Sequence, residues 1–366
     1  MKKLFGGLCL LSTSFMLFGC KKSVPEATKP KMNEFFVYEG KGTIAEQTSY
    51  YLDEDTNELV ISYKSITVYD TFSDTPIHLS TYKYKDGAYS LTVRYDYEYN
   101  EDGKLARQYY CSDSKTDKTG YYSKTEYEYQ DKKKIETNYS LNNKGKWKIE
   151  WKYEYNYDDN NNLISEINWF TKLNSTKLVY SSKTEYEYNS NNLVTKETLT
   201  SATLDGSEWE DRPTAIKTYE YDENNNLIKK QTVRTFSNDT YEYKYDSNNN
   251  VIEVTYIYSL SKSKGMYTYD SNNNVILEEW WDYNKSTSEY VPFSKYEYKY
   301  DSNNNRVLYL RSIYDDELLA YKESTKTTIT YNSLGKQEKE ELYKYDSEKA
   351  TWVLSSRDET TYKVNE

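Results

Sequence analysis

Asp246, Asn248 and Asn250 have the D-x-N-x-N spacing that opens an EF-hand calcium loop, where alternate oxygens close around one cation. Such a loop needs a glycine at its sixth position and a bidentate acid at its twelfth, and here these are Val251 and Ile257. The same asparagines suit a left-handed turn that needs no ion, so no metal is assigned. His78 is the only histidine, and no second histidine, cysteine dyad or metal-ligand spacing accompanies it. The twelve glycines are scattered, so no phosphate-cradling loop is present. Acids such as Asp53-Glu54-Asp55 are better explained as solvated turns than as catalytic pairs. No catalytic residue and no cofactor is expected. What remains is the aromatic run "WWDY", in which Trp280, Trp281 and Tyr283 form a candidate binding surface for a sugar ring or a protein.

The elements that would position these residues are written by a repeat. Each copy has alternating tyrosines, an acidic or polar turn, and then Leu, Val or Ile. The last tyrosines of the copies are Tyr99, Tyr129, Tyr157, Tyr188, Tyr221, Tyr245, Tyr269, Tyr300 and Tyr331. A period of about 20 to 50 residues marks solenoids, propellers and arrays. Tyr241, Tyr243 and Tyr245 fall on one face of a strand and Glu242 and Lys244 on the other, a period of two. A second strand, as in "NVIEVTYIYS", completes a hairpin. Gly103 and Gly335 lie four residues after the last tyrosine, and Asn161, Asn225, Asn249, Asn273 and Asn304 hold that place in other copies. Glycine and asparagine tolerate positive φ best, so these seven are expected to close the turn in the left-handed region. The copies at 129–135 and 188–194 are expected to have rearranged turns.

Composition agrees with a folded β protein. The chain holds 45 tyrosines at a mean hydropathy of −1.01, and tyrosine and threonine suit half-buried pleated surfaces. The N-terminus begins with Lys2 and Lys3, then runs apolar from Leu4 to Phe18, too short to span a bilayer as a helix. Its ending, Leu17-Phe18-Gly19-Cys20, resembles the lipobox of bacterial lipoproteins. That resemblance implies a signal peptide at 1–19 and acylation of Cys20, with 20–33 as a polar tether. Loss of the signal would leave 46 basic and 59 acidic residues, a net charge of −13. Such a balance argues against nucleic acid as a partner. Cys111 then stands alone in the body, where it has no disulfide partner.

The pattern Tyr, Asp, two free positions, Gly or Asn, one free position, then Leu, Val or Ile resembles the YD repeat of the Rhs family. The copies at 221–227, 245–251 and 269–275 carry it best, and the likeness extends over about 95 to 337. It implies a long antiparallel sheet coiled into a spiral or shell. The toxin and self-cleaving segments of large Rhs proteins have no counterpart here. The expected organisation is therefore all-β: a meander of about twenty strands forming a coiled or curved single sheet. Degenerate hairpins occupy 34–94, with Asp86-Gly87 as a hairpin signal; the YD-like array occupies 95–342, and a capping hairpin 343–366. The tyrosine rows, roughly 10 Å apart, are either a core or an open stacking platform, and a repeat's need to bury its own face favours core. A transmembrane barrel is not expected, because the face opposite the tyrosines is Glu, Lys and Thr. The expected role is a lipid-anchored envelope protein, outer-membrane associated, acting as a non-catalytic binding scaffold or adhesin for a glycan or protein ligand. A glycan-binding accessory protein or glycan-processing enzyme is the alternative, and a remnant toxin shell a third.

Overall fold

A computed structural model describes residues 42–365, apart from 54, 57, 71–74, 86, 113–121, 143, 173–174 and 260. Cys20, the tether and Asp86 lie outside the described residues. The body is 22 strands in chain order. The first six are β1 (Gly42–Asp53), β2 (Glu58–Tyr69), β3 (Pro76–Lys85), β4 (Ala88–Tyr99), β5 (Leu105–Ser112) and β6 (Ser123–Gln130). The next six are β7 (Lys133–Leu141), β8 (Trp147–Tyr157), β9 (Leu163–Thr171), β10 (Leu178–Tyr188), β11 (Val194–Ser201) and β12 (Ala215–Tyr221). Then come β13 (Leu227–Arg234), β14 (Asn238–Tyr245), β15 (Val251–Tyr258), β16 (Ser261–Tyr269) and β17 (Val275–Asn284). The chain finishes with β18 (Glu289–Tyr300), β19 (Arg306–Asp315), β20 (Ala320–Tyr331), β21 (Gln337–Asp346) and β22 (Thr351–Asn365).

Each strand pairs antiparallel with its neighbours in sequence, and β22 pairs with β1, from Gly42↔Asn365 to Tyr51↔Ser356. The sheet is therefore a closed barrel. This corrects the expected open, coiled sheet: the 343–366 segment does not cap an edge but supplies the strand that removes both edges. Residues 42 to 99 likewise form four regular strands that share in the closure. At about 4.8 Å per strand the perimeter across 22 strands is about 105 Å, far beyond the eight-strand barrel that side chains fill. Burial fits a shell. On most strands both faces are half-buried, and the one apolar cluster of fully buried residues is Ile66, Val68, Tyr82 and Leu91, among the described residues.

One rim carries the tyrosine-linked turns. In the turn 246–250, Asn249 N donates to the Asp246 carbonyl at 3.1 Å and Asp246 N to the Asn250 carbonyl at 2.9 Å. Matching bonds close the turns beginning at Asn100, Asp158, Asn189, Asp222, Asp270, Asp301 and Asn332. φ is 69° at Gly103, 61° at Asn161, 64° at Asn225, 61° at Asn249, 61° at Asn273, 62° at Asn304 and 73° at Gly335. The 188–194 copy takes the same turn, with Asn192 at 57° in that place, so its expected rearrangement does not occur. The 129–135 copy is the one that differs: Gln130 pairs directly with Lys133, and Lys132 takes positive φ. Gly42 and Asn365 end their strands at this same rim.

Candidate functional site

The tyrosine face is built first by its turns. Asp246 Oδ1 accepts from the backbone of Asn248 at 2.9 Å and of Asn250 at 2.8 Å, and its Oδ2 accepts from Asn250 Nδ2 at 3.0 Å. Both carboxylate oxygens of Asp246 are thus engaged within the turn. These donors also hold the Asp246 carboxyl below the usual range, the Asn250 backbone amide first. The left-handed asparagine serves the neighbouring turn as well. Asn162 Nδ2 donates to Asn192 Oδ1 at 3.0 Å, Asn191 to Asn225 at 2.8 Å, Asn226 to Asn249 at 2.8 Å, Asn250 to Asn273 at 2.9 Å and Asn274 to Asn304 at 3.1 Å. Six successive turns are thereby chained along the rim.

A second chain runs just inside it. The last tyrosine of a copy donates its phenol to the carbonyl of the first residue after the previous turn: Tyr245 to Leu227 and Tyr269 to Val251, at 2.7 and 2.6 Å. Tyr129, Tyr188, Tyr221, Tyr300, Tyr331 and Tyr362 do the same with Leu105, Leu163, Val194, Val275, Arg306 and Gln337. The middle tyrosines meet carboxylates from intervening strands. Tyr219 donates to Glu197, and Tyr298 to Glu278 at 2.8 Å. Burial, and then these carboxylates, push the Tyr186 phenol up to about 12 and those of Tyr127, Tyr155 and Tyr219 higher still. Burial and the nearby Glu136 raise the Glu166 carboxyl. Tyr241 and Tyr256 stack across strands with centroids 4.5 Å apart.

The opposite face repeats a different device. Five residues before the last tyrosine stands a cation in most copies: Arg94, Lys124, Lys152, Lys183, Lys264, Lys295, Lys326 and Arg357. Many pair with the acid two residues on, as Lys124 does with Glu126 at 2.6 Å and Lys295 with Glu297 at 3.0 Å. Six of the lysines lie over rings: Lys124 over Tyr139 and Trp147, Lys152 over Trp169, Lys183 over Trp209, Lys264 over Trp281 and Tyr290, Lys295 over Tyr321, and Lys326 over Tyr343 and Trp352. The copies without it have Ile216 and Thr240, and short strands, β13 and β15, follow them. This row was countable from spacing alone, since the offset from the last tyrosine is constant.

Of the three "WWDY" aromatics, the barrel brings two together. Trp281 pairs with Lys264, and Tyr283 meets Tyr290 edge-on at 5.4 Å, both on the lysine face. Trp280 points the other way. It covers Gly265, where a Cβ would lie 3.0 Å from its ring, and donates Nε1 to Glu278 at 2.5 Å. His78 is buried against Asp96, Nδ1 to Oδ1 at 2.6 Å, with Arg94 Nε at 2.6 Å from Oδ2. Burial lowers its affinity for a proton, against the pull of Asp96. Cys111 is buried across from Arg94. Among the described residues no three His, Cys, Asp or Glu side chains gather as a metal site.

No family model matches the chain, and no curated protein does. Several solved structures share part of its geometry. A DUF3836 family protein from Bacteroides vulgatus is 22% identical with a TM-score of 0.21, over 25% of this chain and 89% of that one. A porin-like protein from Bacteroides uniformis is 11% identical with a TM-score of 0.29, over 70% and 94%. The TcdB2–TccC3 complex is 13% identical with a TM-score of 0.29; the match spans 79% of this chain but only 18% of that one.

Proposed function

We propose that this chain is a lipid-anchored protein of the bacterial envelope whose YD-like hairpin barrel is a non-catalytic binding scaffold. The observation that carries this reading is the position of the two ends. Gly42 and Asn365 are paired on one rim, so a barrel held through Cys20 is tethered at that rim and presents the other. Neither face offers lipid a continuous apolar band. One carries Glu136, Glu166, Glu197 and Glu278, the other Lys264, Glu279, Lys295 and Glu297, and a lysine at a bilayer midplane costs about 2–4 kcal/mol. A glycan is the ligand class the faces suit, because near-parallel rings such as Tyr241 and Tyr243, 13° apart, form stacking platforms beside fixed hydrogen-bonding groups. Fractionation tests the anchor. Cys20→Ala should move the protein from the membrane to the soluble fraction, and retention would refute anchoring. Screening the body against envelope polysaccharides and proteins tests the binding role; turnover of a polysaccharide would overturn the non-catalytic reading.

A further inference from the structure

Among the described residues, two arginines on the tyrosine face lack a carboxylate partner. Arg94, Arg107, Arg234 and Arg357 each have a carboxylate partner. Arg306 and Arg311, both on β19, have none among the described residues, although acids outnumber bases in the chain. Arg311 sits opposite Tyr296 in the ladder, its guanidinium carbon 5.9 Å from that ring, and its Nε is buried without a hydrogen-bond partner. Arg306 lies 5.9 Å from the Tyr298 ring and 5.8 Å from that of Tyr309, and is exposed. Between the two cations the rings cluster: Tyr296 and Tyr309 stack at 5.7 Å and 15°, and Tyr298 meets Tyr309 at 5.4 Å. Next along β18 on the same face, Ser294 is 1% exposed and its hydroxyl has no partner. Leaving such groups unsatisfied costs stability, so a retained set of them is a reason to look for a ligand.

We propose that Arg306 and Arg311 each hold an oxyanion of an acidic saccharide whose sugar rings stack on Tyr296 and Tyr309 between them. The guanidinium fork matches a carboxylate or sulfate in two parallel bonds, and the flanking phenol rings supply the apolar face a pyranose needs. Glu278, the acid bonded to Tyr298, does not close the site, because its oxygens are already bonded to Trp280 and Tyr298. This inference rests on the binding-scaffold reading and narrows its ligand class.

Isothermal titration of the barrel would compare tetragalacturonate, a sulfated tetrasaccharide and neutral cellotetraose. The expected result is binding of one or both acidic oligomers, weakening with added salt, and at least about tenfold weaker binding by the Arg306→Gln/Arg311→Gln double variant. Arg311→Lys keeps the charge but loses the fork, and should weaken binding several-fold even if the double variant folds poorly. Preference between carboxylate and sulfate oligomers identifies which oxyanion is taken. Equal affinity for cellotetraose, or unchanged affinity in both variants, overturns this site while leaving a binding scaffold intact. Absence of binding to any acidic oligomer overturns it too, and displacement of the oligomer by equimolar inorganic sulfate would refute the saccharide part.

Discussion

At φ 61° the Asn249 backbone occupies the left-handed region, and its Oδ1 accepts from Asn226 Nδ2 at 2.8 Å. Glycine satisfies the first demand and cannot meet the second, which gives a reason for asparagine in the consecutive copies from Asn192 to Asn304. Asn249→Ala should therefore destabilise the protein by about 1–2 kcal/mol through backbone strain alone. Asn249→Gly removes only the link to Asn226 and should cost less, about 1 kcal/mol. Urea unfolding of the two variants checks the order, and glycine proving the worse would refute the geometric account. The turn position was legible because its offset from the last tyrosine is fixed and its residue types are restricted. The link was not, since it joins side chains from copies 23 or more residues apart and depends on how neighbouring turns align along the rim.

Each tyrosine strand is an element with two surfaces, one of phenols and one of paired charges. The period of two and the turn grammar announced both surfaces, as they are local in sequence. The lysine row was also written there, at a constant five residues from the last tyrosine, but its meaning depends on aromatics two strands away, such as Tyr290 for Lys264. "WWDY" shows the reverse problem: adjacent aromatics look like one patch, yet alternation sends Trp280 and Trp281 to opposite faces. The phenols make the element sensitive to alkali. Tyr97, Tyr99, Tyr186 and Tyr269 are pushed up to about 12, burial first in each case. A phenol raised in the folded state stabilises that state below its ordinary value near 10, and the contribution disappears as pH climbs through the folded value. Thermal stability should accordingly be insensitive to the tyrosines up to about pH 10 and fall steeply between about 10 and 12. Absorbance at the phenolate band would show these groups ionising together with unfolding; gradual ionisation near 10 with the fold intact would contradict it.

At the scale of the whole molecule, closure is the feature that sequence periodicity does not reveal. A spiral and a barrel share every local hairpin and differ only in whether β1 meets β22. Deleting Thr351–Asn365 should expose the free edges of β1 and β21, and light scattering should detect association that the full chain lacks. A truncated barrel that stays monomeric would mean the edges protect themselves. The same pairing has a kinetic side. All other ladders join segments that follow each other directly, so their hairpins can form as each is made, on the microsecond scale. The first and last strands alone bring together residues such as Lys363 and Glu46, 317 positions apart, and that contact must wait for the final segment to be synthesised. Folding should therefore separate into a fast, local phase and a late zipping step, and between them the chain is an open sheet with two unpaired edges.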